Sequence, residues 1–349
     1  MKATPGGASG KRVGAPTCPP RSMDRPAGGQ AMKVINGLED PALAAAGRIV
    51  VSIGVYDGVH LGHGAVVAAL LREARRLRAV PAVLTFSPHP RGALGGAPPP
   101  LIVAEEHRLA LLAARGVRLC IVLPFTRGIA AMDAAKFLRD RLLPAARVAG
   151  IVVGPGFAFG RGRRGGIRLL REAGGAHGFT VVVAGRGELG GRKVSSTAIR
   201  GLIRRGDLAG ASRLLGRPYS LRGIVVRGKA LGRSLGVPTA NLDLPGVLRP
   251  PPGVYAARAT VSGGKPRDGV LNIDCDGVVE VHLFDFSGDL YGRPMEVFPD
   301  GKIRPERRFR SRAALAERMQ RDIAIARRML HTTASKEGVP RARRGGAYE

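Results

Sequence analysis

The 349-residue chain has no tryptophan, 4% aromatic residues, three cysteines, and 26 acidic against 56 basic side chains. Each shortage excludes something. Cys18, Cys120 and Cys275 stand apart, which argues against a disulfide framework or a cysteine metal site and fits a reducing compartment. With so few aromatics, the stacking platforms on which single strands of nucleic acid lie are scarce. The net charge of +30 would ordinarily point to nucleic acid or an anionic membrane. Here the excess is nearly all arginine, spread through predicted helices as a bias of the whole composition, so no nucleic-acid partner is expected. No apolar run reaches the ~20 residues that span a bilayer, and the first 31 residues lack an apolar signal core. The expectation is a cytoplasmic protein with no membrane partner. Residues 1–31 are Gly/Pro-rich, with Lys2, Lys11, Arg12, Arg21 and Arg25 opposed by Asp24 alone. They read as a disordered basic tail; the rival reading, an organelle transit peptide, lacks an amphipathic period.

What is present is an apolar fraction of 44% and length enough for two ordinary domains. Residues 48–185 alternate apolar, β-branched runs (48–55, 80–86, 117–123, 148–154, 179–184) with helical periods (64–78, 104–115, 133–142, 166–177). That alternation predicts an α/β domain with a doubly wound, mostly parallel sheet and a ligand at the carboxyl ends of its strands. A short helix from Asp207 to Leu215 ends at Gly216. From Tyr219 to about Phe298 the texture changes to short strands between Gly/Pro turns (219–227, 253–262, 269–273, 278–286, 291–298), the pattern of a small antiparallel barrel. A charged amphipathic helix follows from Ala313 to Leu330. The expected domains are 32–216 and 217–330, with a second disordered tail over 331–349.

The stretch from Ser52 to Gly64, SIGVYDGVHLGHG, organises the first domain. An apolar strand stops at glycines, a helix follows, and His60 and His63 fall at the turn between them. Free N–H groups and the positive end of the helix dipole make that turn a phosphate-binding place, and Gly58 and Gly62 let backbone approach a nucleotide. Alone, the His pair reads better as two satisfied or solvent-facing histidines near a turn. Three further loops follow strands. Pro88-His89-Pro90 forms a rigid turn. Gly154 to Gly165 carries Phe157, Phe159 and a cationic, glycine-rich tail. Ser195 or Ser196 serves as an N-cap ahead of Ile199, Leu202 and Ile203.

Taken together, these strings resemble one family. Gly54-Val-Tyr56-Asp57-Gly58-Val-His60-Leu-Gly62-His63 is similar to the signature of the HxGH nucleotidyltransferases, and closest to bacterial FAD synthetases. The Pro88-His89-Pro90-Arg91 turn, the Phe157–Arg163 loop and Ser195-Ser196-Thr197-Ala-Ile-Arg200 follow in the family's order. In the second region, Pro238-Thr239-Ala-Asn241 and Glu280-Val-His282 resemble the riboflavin kinase part of the bifunctional riboflavin kinase/FAD synthetase (FMN adenylyltransferase) family. The resemblance implies a nucleotidyltransferase domain joined to a barrel kinase, with riboflavin, FMN and ATP as substrates and Mg²⁺ as cofactor. It implies His60 and His63 at the α-phosphate, and Gly54, Tyr56, Asp57, Gly58, Gly62, Ser195, Ser196, Thr197 and Arg200 on the nucleotide, with Arg200 on the triphosphate. Pro88, His89, Pro90, Phe157 and Phe159 would contact flavin, Thr239 and Asn241 would hold magnesium, and Glu280 would be the kinase base. The chain departs from the family at Gly156, where a polar residue is usual, in the short loop before Glu280, and at Lys229-Ala230-Leu231. Two rivals stay open: an FAD synthetase whose kinase module is degenerate, and a basic nucleic-acid-binding protein. Nothing in the sequence speaks to oligomeric state.

Overall fold

A computed structural model describes residues 31–93, 96–185, 187–228 and 231–336. Residues 1–30 of the tail expected over 1–31, the end of the chain beyond residue 336 and the altered Lys229-Ala230 pair lie outside these residues.

Near-continuous β-branched runs bury on both faces, and here they form one six-stranded parallel sheet. Its strands are β1 (Lys33–Asn36), β2 (Arg48–Ile53), β3 (Val80–Ser87), β4 (Leu119–Pro124), β5 (Arg147–Val153) and β6 (Thr180–Val183), in the order β1-β4-β3-β2-β5-β6. Successive residues face opposite sides. Val50, Val83, Cys120 and Val152 enter one core, while Ile49, Val51, Leu84 and Ile121 enter the other. Helices α1 (Leu61–Arg76) and α2 (Glu105–Ala114) cover the first face, and α3 (Ile167–His177) supplies Leu170 to the second. Strand order reverses between β2 and β5, where the fold leaves a crevice at the strand ends.

Three details differ from the sequence expectation. Helix α1 begins at Leu61 rather than Gly64, because His60 caps it and draws Gly62 and His63 into the first turn. The helix expected over 133–142 runs from Ala134 to Ala145 and widens to a π-turn at Leu138–Leu142; Pro144 has no N–H to give the carbonyl four residues back. Strand β1, an outer strand of four residues, carried too short a pattern to read.

A short hairpin of β7 (Glu188–Leu189) and β8 (Arg192–Lys193) leads to α4 (Ser196–Arg204) and α5 (Leu208–Leu215). Then comes a closed antiparallel barrel of β9 (Leu221–Val226), β10 (Ala240–Asp243), β11 (Gly253–Val261), β12 (Arg267–Ile273), β13 (Val279–Leu283) and β14 (Pro294–Pro305), ordered β10-β13-β12-β11-β14-β9. Tyr255, Leu271, Val281 and Val297 fill its interior. On the outside, Val254, Ala256, Val270 and Phe284 meet Ala326 and Leu330 of the final helix α6 (Arg312–Lys336). Residues 331–336, expected as tail, continue this helix, since no Gly or Pro interrupts the chain before Gly338. Strand β10 went unread in the sequence, being four residues between a turn and a Pro-rich loop, and β14 runs seven residues past its expected end.

Candidate active sites

The first site grows from the end of β2. Ser52 donates to the Val152 carbonyl of β5 (2.6 Å) and accepts the Tyr56 hydroxyl (2.6 Å), so Tyr56 is buried with its polar end satisfied. The carbonyl of Val55 accepts from Thr85 (3.1 Å) and Arg108 (3.2 Å), and Arg108 also reaches the Phe86 carbonyl (3.3 Å). Those two side chains, unmarked by any motif, brace the ends of β2 and β3 together. Gly58 turns at φ 82° against Ile102, leaving no room for a side chain beyond 3.0 Å.

His60 caps α1 and His63 lies in its first turn. The Nδ1 of His60 accepts from the His63 N–H (3.3 Å), and the two rings stack with centroids 3.7 Å apart; Tyr56 leans on His63 at 5.0 Å. Burial pushes His60 down to about 4, helped by the charges of Arg217, Arg115 and Arg200. Burial, then His60 and Arg115, hold His63 well below the ordinary histidine value. Both rings are therefore neutral near pH 7. Because Nδ1 of His60 accepts, its proton sits on Nε2, a hydrogen-bond donor without net charge. The Nδ1 of His63 is buried without a protein partner.

Asp57 and Arg200 meet each other beneath the loop. The Asp57 carboxylate accepts from the Ile102 N–H (2.9 and 3.2 Å) and the Val103 N–H (3.4 Å), and forms a buried ion pair with Arg200 Nη2 at 2.6 Å. Arg200 Nε donates to the Pro100 carbonyl (2.8 Å). The resemblance put both on the nucleotide; here each is buried, and the two are joined as an ion pair beneath the loop. Ser195 caps α4 through the Ala198 N–H (3.3 Å), Ser196 donates to the Asp57 carbonyl (3.0 Å), and Thr197 is exposed on the first turn. Gly62 needs its bareness. A Cβ there would lie 3.1 Å from the His60 ring and 3.3 Å from the Val194 carbonyl, and a Cβ on Gly187 would fall 2.2 Å from Gly62 Cα.

Of the expected flavin contacts, His89 is half-buried after β3, its Nδ1 accepting from the Arg91 N–H (3.2 Å), between an exposed Pro88 and a half-buried Pro90. Burial lowers its pKa, while Asp57 acts in the opposite sense. Phe157 and Phe159 follow β5, stacked at 5.3 Å, with Phe159 edge-on to Phe137 at 6.4 Å. Phe159 is also pinned by paired backbone bonds to Gly165 (2.9 and 3.0 Å), so core packing accounts for much of its surface.

The second site lies on the outer face of the barrel. Asn241 of β10 pairs in register with Glu280 of β13, and Glu280 with Asn272 of β12. Period-two alternation puts Thr239, Asn241, Glu280 and His282 on the half-buried outer surface while Val279, Val281 and Leu283 point inward. His282 Nδ1 donates to the Pro238 carbonyl (2.8 Å), tying the Pro238-Thr239 turn to the Glu280 strand. Gly228, missed in the sequence, fits against Asn241: a Cβ there would stand 2.2 Å from Asn241 Nδ2. Glu280 also acts on a neighbour. Burial raises the pKa of Glu306, with Arg304 opposing and Asp274, Glu280 and Asp322 adding to it. The short loop before Glu280 closes as a turn, Asp274 accepting from the Val278 N–H (2.7 Å).

Residues 43–198 match the FAD synthetase family and residues 215–330 the riboflavin kinase family. Similar proteins include a bifunctional riboflavin kinase/FMN adenylyltransferase of Escherichia coli K12, 39% identical over 86% of this chain and 99% of that protein. One from Pseudomonas fluorescens is 36% identical over 87% and 100%, and one from Bacillus subtilis is 33% identical over 79% and 90%. A crystal structure from Streptococcus pneumoniae, titled a macrolide-efflux protein, has TM-score 0.71 and 28% identity, covering 85% of this chain and 99% of that one. Among the described residues no helix is long and apolar enough to cross a membrane.

Proposed function

This chain belongs to the bifunctional riboflavin kinase/FMN adenylyltransferase family, and on that premise we propose which of its residues carry each reaction. It phosphorylates riboflavin to FMN with ATP and joins FMN to the adenylyl group of a second ATP, releasing pyrophosphate.

In the adenylyl-transfer site, His60 and His63 face the α-phosphate at the positive end of α1. Their neutral rings donate N–H groups to the oxygens on which charge grows as the FMN phosphate displaces pyrophosphate in line. Donors fixed before reaction, in a water-poor loop, are worth more than the same groups in water. Gly54, Gly58 and Gly62 let backbone come close to the nucleotide. Asp57 and Arg200 set the loop from below, and Ser195, Ser196 and Thr197 present the start of α4 to the phosphates. His89, between Pro88 and Pro90, and the exposed side of Phe157 line the flavin side, with Phe159 behind.

On the barrel, Glu280 takes the proton from the ribityl 5′-hydroxyl of riboflavin as that oxygen attacks the γ-phosphate of ATP. Thr239 and Asn241 offer neutral oxygens beside the Glu280 carboxylate, a hard-donor set that fits Mg²⁺, and the cradle at Gly228 leaves the Asn241 amide its place. When bound, the ion would shield phosphate charge. His282 holds the turn that aims Thr239. A reducing cytoplasm is the proposed setting, with Cys120 and Cys275 as free thiols.

The observation that carries this reading is the neutral, stacked His60–His63 pair capping α1 at the switch point of the sheet. Product separation tests it. His60→Ala supplied with riboflavin and MgATP should stop at FMN, while Glu280→Gln should make FAD from FMN but not from riboflavin. FAD formed by His60→Ala at the wild-type rate would remove the histidine from the site.

A further inference from the structure

Two segments that no motif marked grip the His60 loop from different sides, and both are tied to the barrel. The first is the strap Pro100–Val103. Leu101 bonds to the barrel turn in both directions, its N–H to the Gly246 carbonyl (2.8 Å) and its carbonyl to the Leu248 N–H (2.7 Å). The next two N–H groups, of Ile102 and Val103, are the ones that hold the Asp57 carboxylate, three residues before His60. The second is the linker Gly216-Arg217, which joins α5 to the barrel. Gly216 turns at φ 69° and lies so near Leu61 that a Cβ would be 2.3 Å from its Cδ2. Arg217 Nη1 donates a long bond to the Val59 carbonyl (3.4 Å). Val59 and Leu61 are the two neighbours of His60.

The loop needs holding. Val59 sits at φ 38° and Tyr56 at 55°, a region that β-branched and bulky residues avoid and that persists only when surrounding contacts over-determine it. The Arg217 guanidinium is buried in the seam between the modules, where burial and the charge of Arg115 oppose its charge and Glu296 of β14 favours it. The Glu296 carboxylate accepts from Ser220 (2.6 Å) and lies 3.3 Å from buried His107 of α2.

We propose that the barrel is a positioning element of the adenylyl-transfer site, with Arg217 as the positioning residue that fixes the Val59–Leu61 backbone and so aims His60. The inference rests on the assignment of His60 to the α-phosphate. Arg217 touches no reacting atom; it acts through the Val59 carbonyl.

The test uses the full chain and reads both reactions. Arg217→Met should lower kcat for FMN adenylylation by ~10- to 100-fold, the scale expected of a displacement of about 1 Å. KM for ATP should hold nearly constant and riboflavin phosphorylation should continue at the wild-type rate. Arg217→Lys, which keeps a cationic donor on a flexible stem, should recover part of kcat. Gly216→Ala, which drives a Cβ into Leu61 with Arg217 intact, should reproduce the selective fall in kcat. Unchanged adenylylation in Arg217→Met overturns the proposal. So does an equal loss of both reactions, which marks a general packing role, or a raised KM with unchanged kcat, which marks a ligand contact. His60→Ala run beside them separates the two levels. If it still makes FAD, the site assignment falls and the positioning role with it; if it is inactive while Arg217→Met is normal, only the positioning role falls.

Discussion

The two sites differ in how much of their geometry is finished before a ligand arrives. Around His60, the side chains are buried and already engaged: Tyr56 with Ser52, Asp57 with Arg200 and two backbone N–H groups, His60 with the His63 N–H. Around Glu280, the side chains are half-exposed on a barrel face, where the β10–β13 ladder and the His282–Pro238 bond join the two halves of the site. A site of the first kind is set by the fold, so its failures appear as lost stability as well as lost activity. A site of the second kind is left open to its substrates, so its failures appear in turnover alone.

The largest effect should come from breaking the buried pair. Asp57→Asn leaves the Arg200 guanidinium buried without its carboxylate, a loss of ~3–5 kcal/mol visible in urea unfolding, together with lost adenylylation. A half-exposed counterpart on the barrel, Asn241→Ala, should shift unfolding by less than about 1 kcal/mol while reducing phosphorylation. Equal stability changes in the two variants would erase the contrast.

Next comes pH. A histidine held at about 4 in the folded chain but at its ordinary 6.5 when unfolded binds its proton earlier in the unfolded state. Stability from His60 is complete above pH 6.5 and is lost as pH falls from there through about 4; His107, lowered by burial to about 3, acts in the same sense. Unfolding at pH 7 and pH 5 should show the loss, and the His60 ring resonance should not titrate near 6.5. An inflection there would show an open, ordinary histidine.

The smallest effect sharpens the comparison from the other side. His282→Ala removes one hydrogen bond of ~1 kcal/mol, so phosphorylation should slow roughly fivefold, with adenylylation from supplied FMN unchanged. A matching slowdown of both reactions would mean that the barrel face and the His60 loop are not separate sites.

Much of this was readable in the chain because the signals are local. β-branched runs of five to eight residues, helical periods and glycine punctuation gave the parallel sheet, and short strands between Gly/Pro turns gave the barrel. His60, His63, Thr239, Asn241 and Glu280, the residues proposed for the two reactions, each sit in a contiguous string. What escaped is what contact makes. The Asp57–Arg200 pair joins residues 143 apart in sequence. Gly187, Gly228 and Arg217 carry no motif of their own; their importance lies in the atoms they approach. Strands β1 and β10 were too short to show a period, though β10 carries Asn241.

The most direct measurement is to incubate the full chain with riboflavin and MgATP and separate FMN from FAD over time. Two working, separately placed sites should give FMN first and then FAD, with pyrophosphate released only as FAD appears. Riboflavin recovered unchanged while added FMN is converted to FAD would contradict this account, leaving the chain an adenylyltransferase whose barrel no longer phosphorylates.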